Sequence, residues 1–144
     1  MLGYHISTDP NNLDFDLIHS FVSQSYWAQG IPKQVLRNAI TNSFCFGVYK
    51  NTGEQVGFAR LITDKATFAY LADVFIVEAQ RNKGLSKWLL STIVSHEDLQ
   101  GLRRIVLATR DAHSLYAQFG FTPIEHPNKL MQIWQPNVYS ETVD

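Results

Sequence analysis

Apolar and polar residues alternate with two different periods along the chain, and the period changes at definable points. A short apolar stretch over 2–6 reads as a first strand. Leu17, Ile18, Phe21 and Val22 then recur at i, i+1, i+4 and i+5, one stripe of a helix, and Asp14 stands where a carboxylate caps free amides. The stretch 26–32, with Gly30 and Pro32, interrupts that stripe. Pro32 suits the first turn of a second helix, which carries Val35, Leu36, Ala39 and Ile40 on one face.

Three strands follow. The first spans 44–49 and ends in the turn Asn51-Thr52-Gly53. The second spans 55–63, with Val56, Phe58, Arg60 and Ile62 sharing a face. Asp64 and Lys65 turn the chain into the third, over 67–77. Connections this short predict an antiparallel meander. The period then lengthens: Leu85, Trp88, Leu89, Thr92, Ile93 and His96 keep helical spacing, and the helix ends before Gly101. A buried strand over 104–109 and a short helix over 112–119, stopped by Gly120, come next. Strands at 121–124 and 131–134 close the chain, and the polar end, 140–144, is expected to fray. The predicted order is β-αα-βββ-α-β-α-ββ. The strand–helix–strand unit between Thr67 and Thr109 is a crossover, so its two strands should be parallel neighbours.

Composition narrows the class. With 45% hydrophobic and 12% aromatic residues in 144, the chain reads as one domain over 1–144 with a packed core. The formal net charge of −1 argues against broad attraction to nucleic acid or to an anionic membrane. No apolar run approaches the ~20 residues of a spanning helix, and the first residues lack the pattern of a signal peptide. A soluble, cytoplasmic protein is expected. The single cysteine, Cys45, lies in an apolar run without a basic sequence neighbour and reads as a core thiol. The five histidines make no ligand spacing with Cys45 or with each other, so no metal site is expected.

The informative segment runs from Val74 to Trp88. A strand enters a loop, and the loop opens the longest helix. Helix N-termini present free N–H groups and the positive end of a dipole, so they attract phosphate. Gly84 and Ser86 are small enough for close backbone approach. Arg81, Lys83 and Lys87 add positive charge, and Asn82 tolerates left-handed geometry. Neither a Walker loop nor a Rossmann fingerprint is present. Read without further context, the loop is equally an ordinary helix start with a solvated basic turn.

Two motifs resemble those of the GNAT acetyltransferase superfamily. Arg81-x-x-Gly84-x-Ser86 is similar to that family's signature of arginine or glutamine, two residues, glycine, one residue, then glycine or alanine. Downstream, Tyr116-x-x-x-Gly120-Phe121 resembles its tyrosine, three residues, Gly-Phe segment. The predicted order of elements resembles the family's from the first helix to about Phe121. Ser86 departs from the usual glycine or alanine, Asn82 from a frequent glycine, and Thr109 from a frequent asparagine seven residues before the tyrosine.

The resemblance implies an α/β (α+β) fold, with a mixed, mostly antiparallel central sheet and helices on both faces. It implies acetyl-coenzyme A as cosubstrate, in a cleft between splayed parallel strands around Phe75 and Ile105. Pantetheine would lie along the backbone of Phe75, Ile76 and Val77. Pyrophosphate would rest on amides of Arg81, Asn82, Lys83, Gly84, Leu85 and Ser86. It further implies transfer to a primary amine by direct attack in a ternary complex, with the Tyr116 phenol protonating the departing thiolate. Tyr26 and Trp27, in the break between the first helices, are apolar enough to be core, but the resemblance implies that they border the acceptor site and would wall it.

Other roles stay open at the level of sequence. Asp73 interrupts an apolar strand and is either a base for the amine proton, an anchor for an ammonium group, or half of an ion pair with Arg60. Arg60 could equally clamp a substrate carboxylate. His113 lies one turn before Tyr116 and reads as a helix-surface residue. The expected acceptor is a small-molecule amine. A peptide or protein amine, a non-catalytic CoA-binding sensing domain and a homodimeric module are the alternatives.

Overall fold

A computed structural model describes residues 1–140. The chain runs β1 (Tyr4–Ser7), α1 (Phe15–Val22), α2 (Lys33–Thr41), β2 (Phe44–Lys50), β3 (Gln55–Thr63), β4 (Phe68–Ile76), α3 (Leu85–Ser95), β5 (Arg104–Leu107) and α4 (His113–Ala117). The five strands form one sheet in sequence order, β1-β2-β3-β4-β5. The first four are antiparallel, as short turns dictate, and β4 pairs with β5 in parallel across the α3 crossover.

Local chemistry explains the helix starts. Asp14 caps α1 by accepting from the Leu17 amide at 3.1 Å. Pro32 stands one residue before α2 instead of inside its first turn, and of the expected apolar face only Leu36 is fully buried, while Val35 is exposed. α3 stops at Ser95. The backbone of His96 is extended, and its Nδ1 accepts from the Asp98 amide at 3.1 Å, so the helical spacing overran the helix.

Alternation along the strands sends side chains to two cores. One face carries Phe46, Val48, Ala59, Leu61 and Leu71 against Leu85, Leu89, Leu90 and Ile93 of α3. The other carries Cys45, Phe58 and Phe75 against Ile18, Val22 and Leu36 of α1 and α2. Each fully buried aliphatic or aromatic side chain contributes about 1.5–3 kcal/mol. Burial pushes the Cys45 thiol up to about 11, with Arg60 pulling the other way, so the sulfur stays protonated at neutral pH and is a core group.

Two β-bulges correct the expectation of uninterrupted alternation. In β3, Val48 pairs with Gly57 but Tyr49 pairs with Gln55, so Val56 is the extra residue and joins the α3 face, opposite Phe58. In β4, Phe58 pairs with Phe75 but Arg60 pairs with Ala72, so β4 carries one residue more than β3. Asp73 lies within that bulge, at φ 55°, a left-handed conformation that is rare within a strand.

The end of the chain also differs from expectation. Residues 121–124 and 131–134 form no strand and join no sheet among the described residues. β5 is correspondingly short, ends at Leu107, and is only half-buried, because among the described residues no strand lies beyond it. α4 is likewise shorter than expected. Of the expected frayed end, Ser140 is described, and its hydroxyl donates to the Asn137 carbonyl at 2.8 Å; the remainder lies outside the described residues.

Candidate active site

β4 and β5 are paired only from Phe68↔Arg104 to Leu71↔Leu107. Beyond that point β4 continues to Ile76 while β5 ends at Leu107, so the second half of β4 has no strand partner on its β5 side among the described residues. The Val77 amide donates to the Val56 carbonyl at 2.8 Å. Antiparallel hydrogen-bonding pairs recur every second residue, so Val77 and Phe75 use their backbone on β3, and the Ile76 N–H points away from β3, to the side where β5 has ended; this differs from the expectation that Phe75 and Val77 also offer theirs to pantetheine. The Phe75 ring lies on the other face of the sheet, stacked on Phe21 at 4.1 Å.

The loop from β4 to α3 builds the second part. Arg81 folds back, its Nε donating to the Ile76 carbonyl at 3.0 Å. Lys83 Nζ contacts Gln80 Oε1 at 3.1 Å, and Gln80 also accepts from the Tyr4 hydroxyl. Two of the three basic side chains therefore shape the loop. Asn82 and Gly84 adopt φ 65° and 81°. The first bond inside α3 runs from the Trp88 amide to the Gly84 carbonyl at 3.0 Å, and no side chain caps the helix. The amides of Leu85, Ser86 and Lys87 therefore precede the helical ladder. A β-carbon on Gly84 would meet only Met1 Cε, at 4.0 Å, so the approach to these amides is open. Free amides, a helix dipole and an unobstructed approach suit a phosphate.

The third part closes the cleft from above. Trp27 Nε1 donates to Asp73 Oδ1 at 2.7 Å, and Arg60 Nε donates to Asp73 Oδ2 at 2.9 Å. Arg60 Nη1 reaches Ser43 Oγ at 3.1 Å. Both carboxylate oxygens of the buried Asp73 are thus engaged, and the loop between α1 and α2 is tied to the β4 bulge. The same loop places Tyr26 against the segment after β5. The Arg110 guanidinium lies 3.9 Å from the Tyr26 ring centre, and the Arg110 amide donates to the Tyr26 hydroxyl at 3.2 Å. Phe21, Tyr26, Trp27 and Arg110 are among the residues lining a cavity of about 470 Å³.

Tyr116, on α4, packs edge-on to Phe121 with ring centres 5.9 Å apart. Its phenol is pushed above the ordinary tyrosine value, first by burial and then by the nearby Tyr26 hydroxyl. Thr109 accepts the Ala112 amide at 3.0 Å and so shapes the turn into α4. His113 is exposed on α4. Sequence reasoning missed Arg110, which joins the wall through its stacking on Tyr26 and its amide bond to the Tyr26 hydroxyl. Among the described residues there is no cluster of metal-ligating side chains and no helix long and apolar enough to cross a membrane.

The Asp73 network carries its own prediction. Asp73→Asn leaves the partly buried Arg60 without its counter-charge; breaking a fully buried pair typically costs about 3–5 kcal/mol, and the partial exposure of Arg60 puts this one below that range. A clear drop in the thermal midpoint is expected. In the folded fraction, kcat should stay within a few-fold while the acceptor KM rises, since the wall loses an anchor. A kcat loss of about 10²–10⁴-fold at unchanged KM would instead mark Asp73 as the proton acceptor.

Comparison with known proteins gives a consistent result. Residues 41–123 match the model of an acetyltransferase (GNAT) domain. A proposed acetyltransferase from Gibberella zeae is 36% identical over 137 residues, 80% of this chain and 76% of that protein. The crystal structure of a proposed acetyltransferase of the GNAT family from Xanthomonas campestris superposes with a TM-score of 0.93 at 50% identity, over 97% of this chain and 99% of that one. A GNAT family acetyltransferase from Elizabethkingia anophelis, solved with acetyl-CoA bound, superposes with a TM-score of 0.65 over 94% of this chain and 90% of that one. At 15% identity it shares the fold alone.

Proposed function

We propose that the chain, which belongs to the GNAT acetyltransferase family, moves an acetyl group from acetyl-CoA to the primary amine of a small molecule, by direct attack within a ternary complex. One observation carries the reading: the uncapped, glycine-led start of α3 follows, across a short loop, the stretch of β4 that outruns β5. A pyrophosphate on the amides of Leu85 and Ser86 would leave the pantetheine arm to run along Ile76 and Val74.

The cosubstrate supplies an activated acyl group as a thioester. The protein's own residues do the rest. The cleft-facing β4 backbone holds the thioester arm and offers an N–H to the oxygen that gains charge during attack, a kind of preorganised donor worth about 3–4 kcal/mol. The Tyr116 phenol, held neutral by burial, gives its proton to the leaving sulfur. Asp73 acts as a positioning residue through Trp27 and Arg60. The cavity beside Tyr26 and Arg110 is at the small end of the ligand-pocket range, which favours a small acceptor over a protein tail.

A thiol-release assay with acetyl-CoA against amines, amino acids, polyamines and peptides tests the reading. Turnover with small amines supports it, turnover with peptides alone reassigns the acceptor, and tight CoA binding without turnover favours a sensing domain.

A further inference from the structure

Arg60, expected from sequence as a possible clamp for a substrate carboxylate, is already occupied. Its Nε donates to Asp73 at 2.9 Å and its Nη1 to Ser43 at 3.1 Å. Both Asp73 oxygens are engaged in turn, by Arg60 and Trp27, so no open carboxylate waits there for a second ammonium group. The cavity of about 470 Å³ beside them is lined by Phe21, Gln24, Ser25, Tyr26, Trp27 and Arg110. That lining is aromatic, holds one cation and contains no acid. The Ser25 hydroxyl is used locally, donating to the Val22 carbonyl at 2.6 Å and accepting the Ala28 amide at 3.2 Å. The Arg110 guanidinium has no hydrogen bond or ion pair among the described residues and lies over the Tyr26 ring at 3.9 Å.

We propose that Arg110 sets the acceptor class: a small primary amine with a carboxylate or phosphate at its other end, held by the Arg110 guanidinium. This class rests on the acetyl-transfer reading and narrows its acceptor. Tyr26 holds the cation in place at two points. Its hydroxyl accepts from the Arg110 amide at 3.2 Å, and its ring carries the guanidinium. A guanidinium over an aromatic face keeps N–H groups at its edge, and its planar fork matches two oxygens of a carboxylate or phosphate. The same cation works against polyamines. It occupies the ring face that a second ammonium group would use for a cation–π contact, and the lining offers no acid to offset the repulsion.

The cavity adjoins the reacting centre through two of its walls. Trp27 holds Asp73 in the stretch of β4 that outruns β5, and the loop carrying Arg110 leads from β5 into α4, where Tyr116 stands. An anion at Arg110 would therefore anchor the acceptor by its far end and leave the amine free to attack. Its nitrogen would form the amide bond as the C–S bond breaks. The sulfur would take the Tyr116 proton, the nitrogen would release one to water, and water would reprotonate Tyr116.

The test offers the full chain acetyl-CoA and linear primary amines of matched length that end in a methyl, a carboxylate, a phosphonate or a second ammonium group. Carboxylate- or phosphonate-ended amines should exceed methyl-ended ones in kcat/KM by about tenfold, between the effect of an exposed ion pair and that of a shielded charged hydrogen bond. Diamines should rank lowest, and the leading anion tells a carboxylate acceptor from a phosphate one. In Arg110→Gln, folded by circular dichroism, the anion-to-methyl ratio should fall to near one. Arg110→Lys should keep part of it, and Arg110→Glu should turn it towards diamines. A merely structural role would lower all acceptors together and leave the ratio unchanged, which overturns the proposal. So does a wild-type chain that takes methyl-ended amines or diamines as well as anionic ones. Calorimetric titration of the same amines, with and without CoA, which has no acetyl group to give, separates this result from a failure of acetyl transfer. If no amine turns over, the transfer reading fails. The anion site then stands if anionic amines still bind more tightly than methyl-ended ones and Arg110→Gln removes the difference, and it is overturned if they do not.

Discussion

In the Tyr116→Phe variant, acetyl transfer is expected to slow by about 10²–10⁴-fold, the usual contribution of a positioned acid or base. The change removes one oxygen and keeps the ring, so the edge-on contact with Phe121 and the packing of α4 should persist. CoA affinity should change little, because the phenol acts only as sulfur departs. The fold holds the phenol neutral, by burial and by the Tyr26 hydroxyl. A raised folded-state value means that its stabilising contribution is complete below about pH 10 and declines as pH rises through the folded value. The acid form is therefore present throughout the neutral range, and loss of the acid should appear in the pH–rate profile only above about pH 10. An acyl donor with a more acidic thiol should narrow the defect, since its thiolate leaves with less help. Pre-steady-state rates decide the matter: a Phe variant that matches wild type where chemistry is rate-limiting removes Tyr116 from the mechanism.

What could be read from the sequence was what is decided locally. The Asp14 cap, the turns between β2, β3 and β4, and the change of period at Leu85 are written in neighbouring residues, and the structure follows them. The left-handed Asn82 and the glycine at the start of α3 were legible for the same reason. The bulges were not, because an extra residue exists only relative to a partner strand. Asp73 therefore stood out as a polar break in an apolar strand, while its φ of 55° and its hold on Trp27 and Arg60 depend on β3 and on the α1–α2 loop. Arg110 had no signal of its own, since its place is fixed by a tyrosine 84 positions away. The terminal strands fail for a related reason. The apolar residues over 131–134 describe a segment able to pair, but a strand also has to be carried to an edge, and among the described residues this segment meets none.

The Gly84→Val variant should bind CoA at least 10–100-fold more weakly. Gly84 is at φ 81°, where only glycine is unstrained, and its open side is the approach to the amides of Leu85 and Ser86. A valine acts twice there. Its branched side chain occupies the space over the uncapped helix start, and its β-carbon resists the left-handed backbone, which costs about 1–2 kcal/mol. The second effect is one of stability, and Gly84→Ala separates the two: alanine carries the same backbone strain but a small side chain. If the helix start holds pyrophosphate, affinity should fall from glycine to alanine to valine while the thermal midpoint falls mainly at the first step. Hydrogen bonds to a charged group are worth about 1.5–3 kcal/mol each, so losing even one accounts for the expected change in Kd. Dephospho-CoA, which keeps the pyrophosphate but lacks the 3′-phosphate, should show the same ratio between variants. Pantetheine, which lacks both, should not. Calorimetry that finds one CoA affinity across all three folded proteins would place the pyrophosphate elsewhere, and the basic side chains of Lys83 and Lys87 would be the next candidates to hold it.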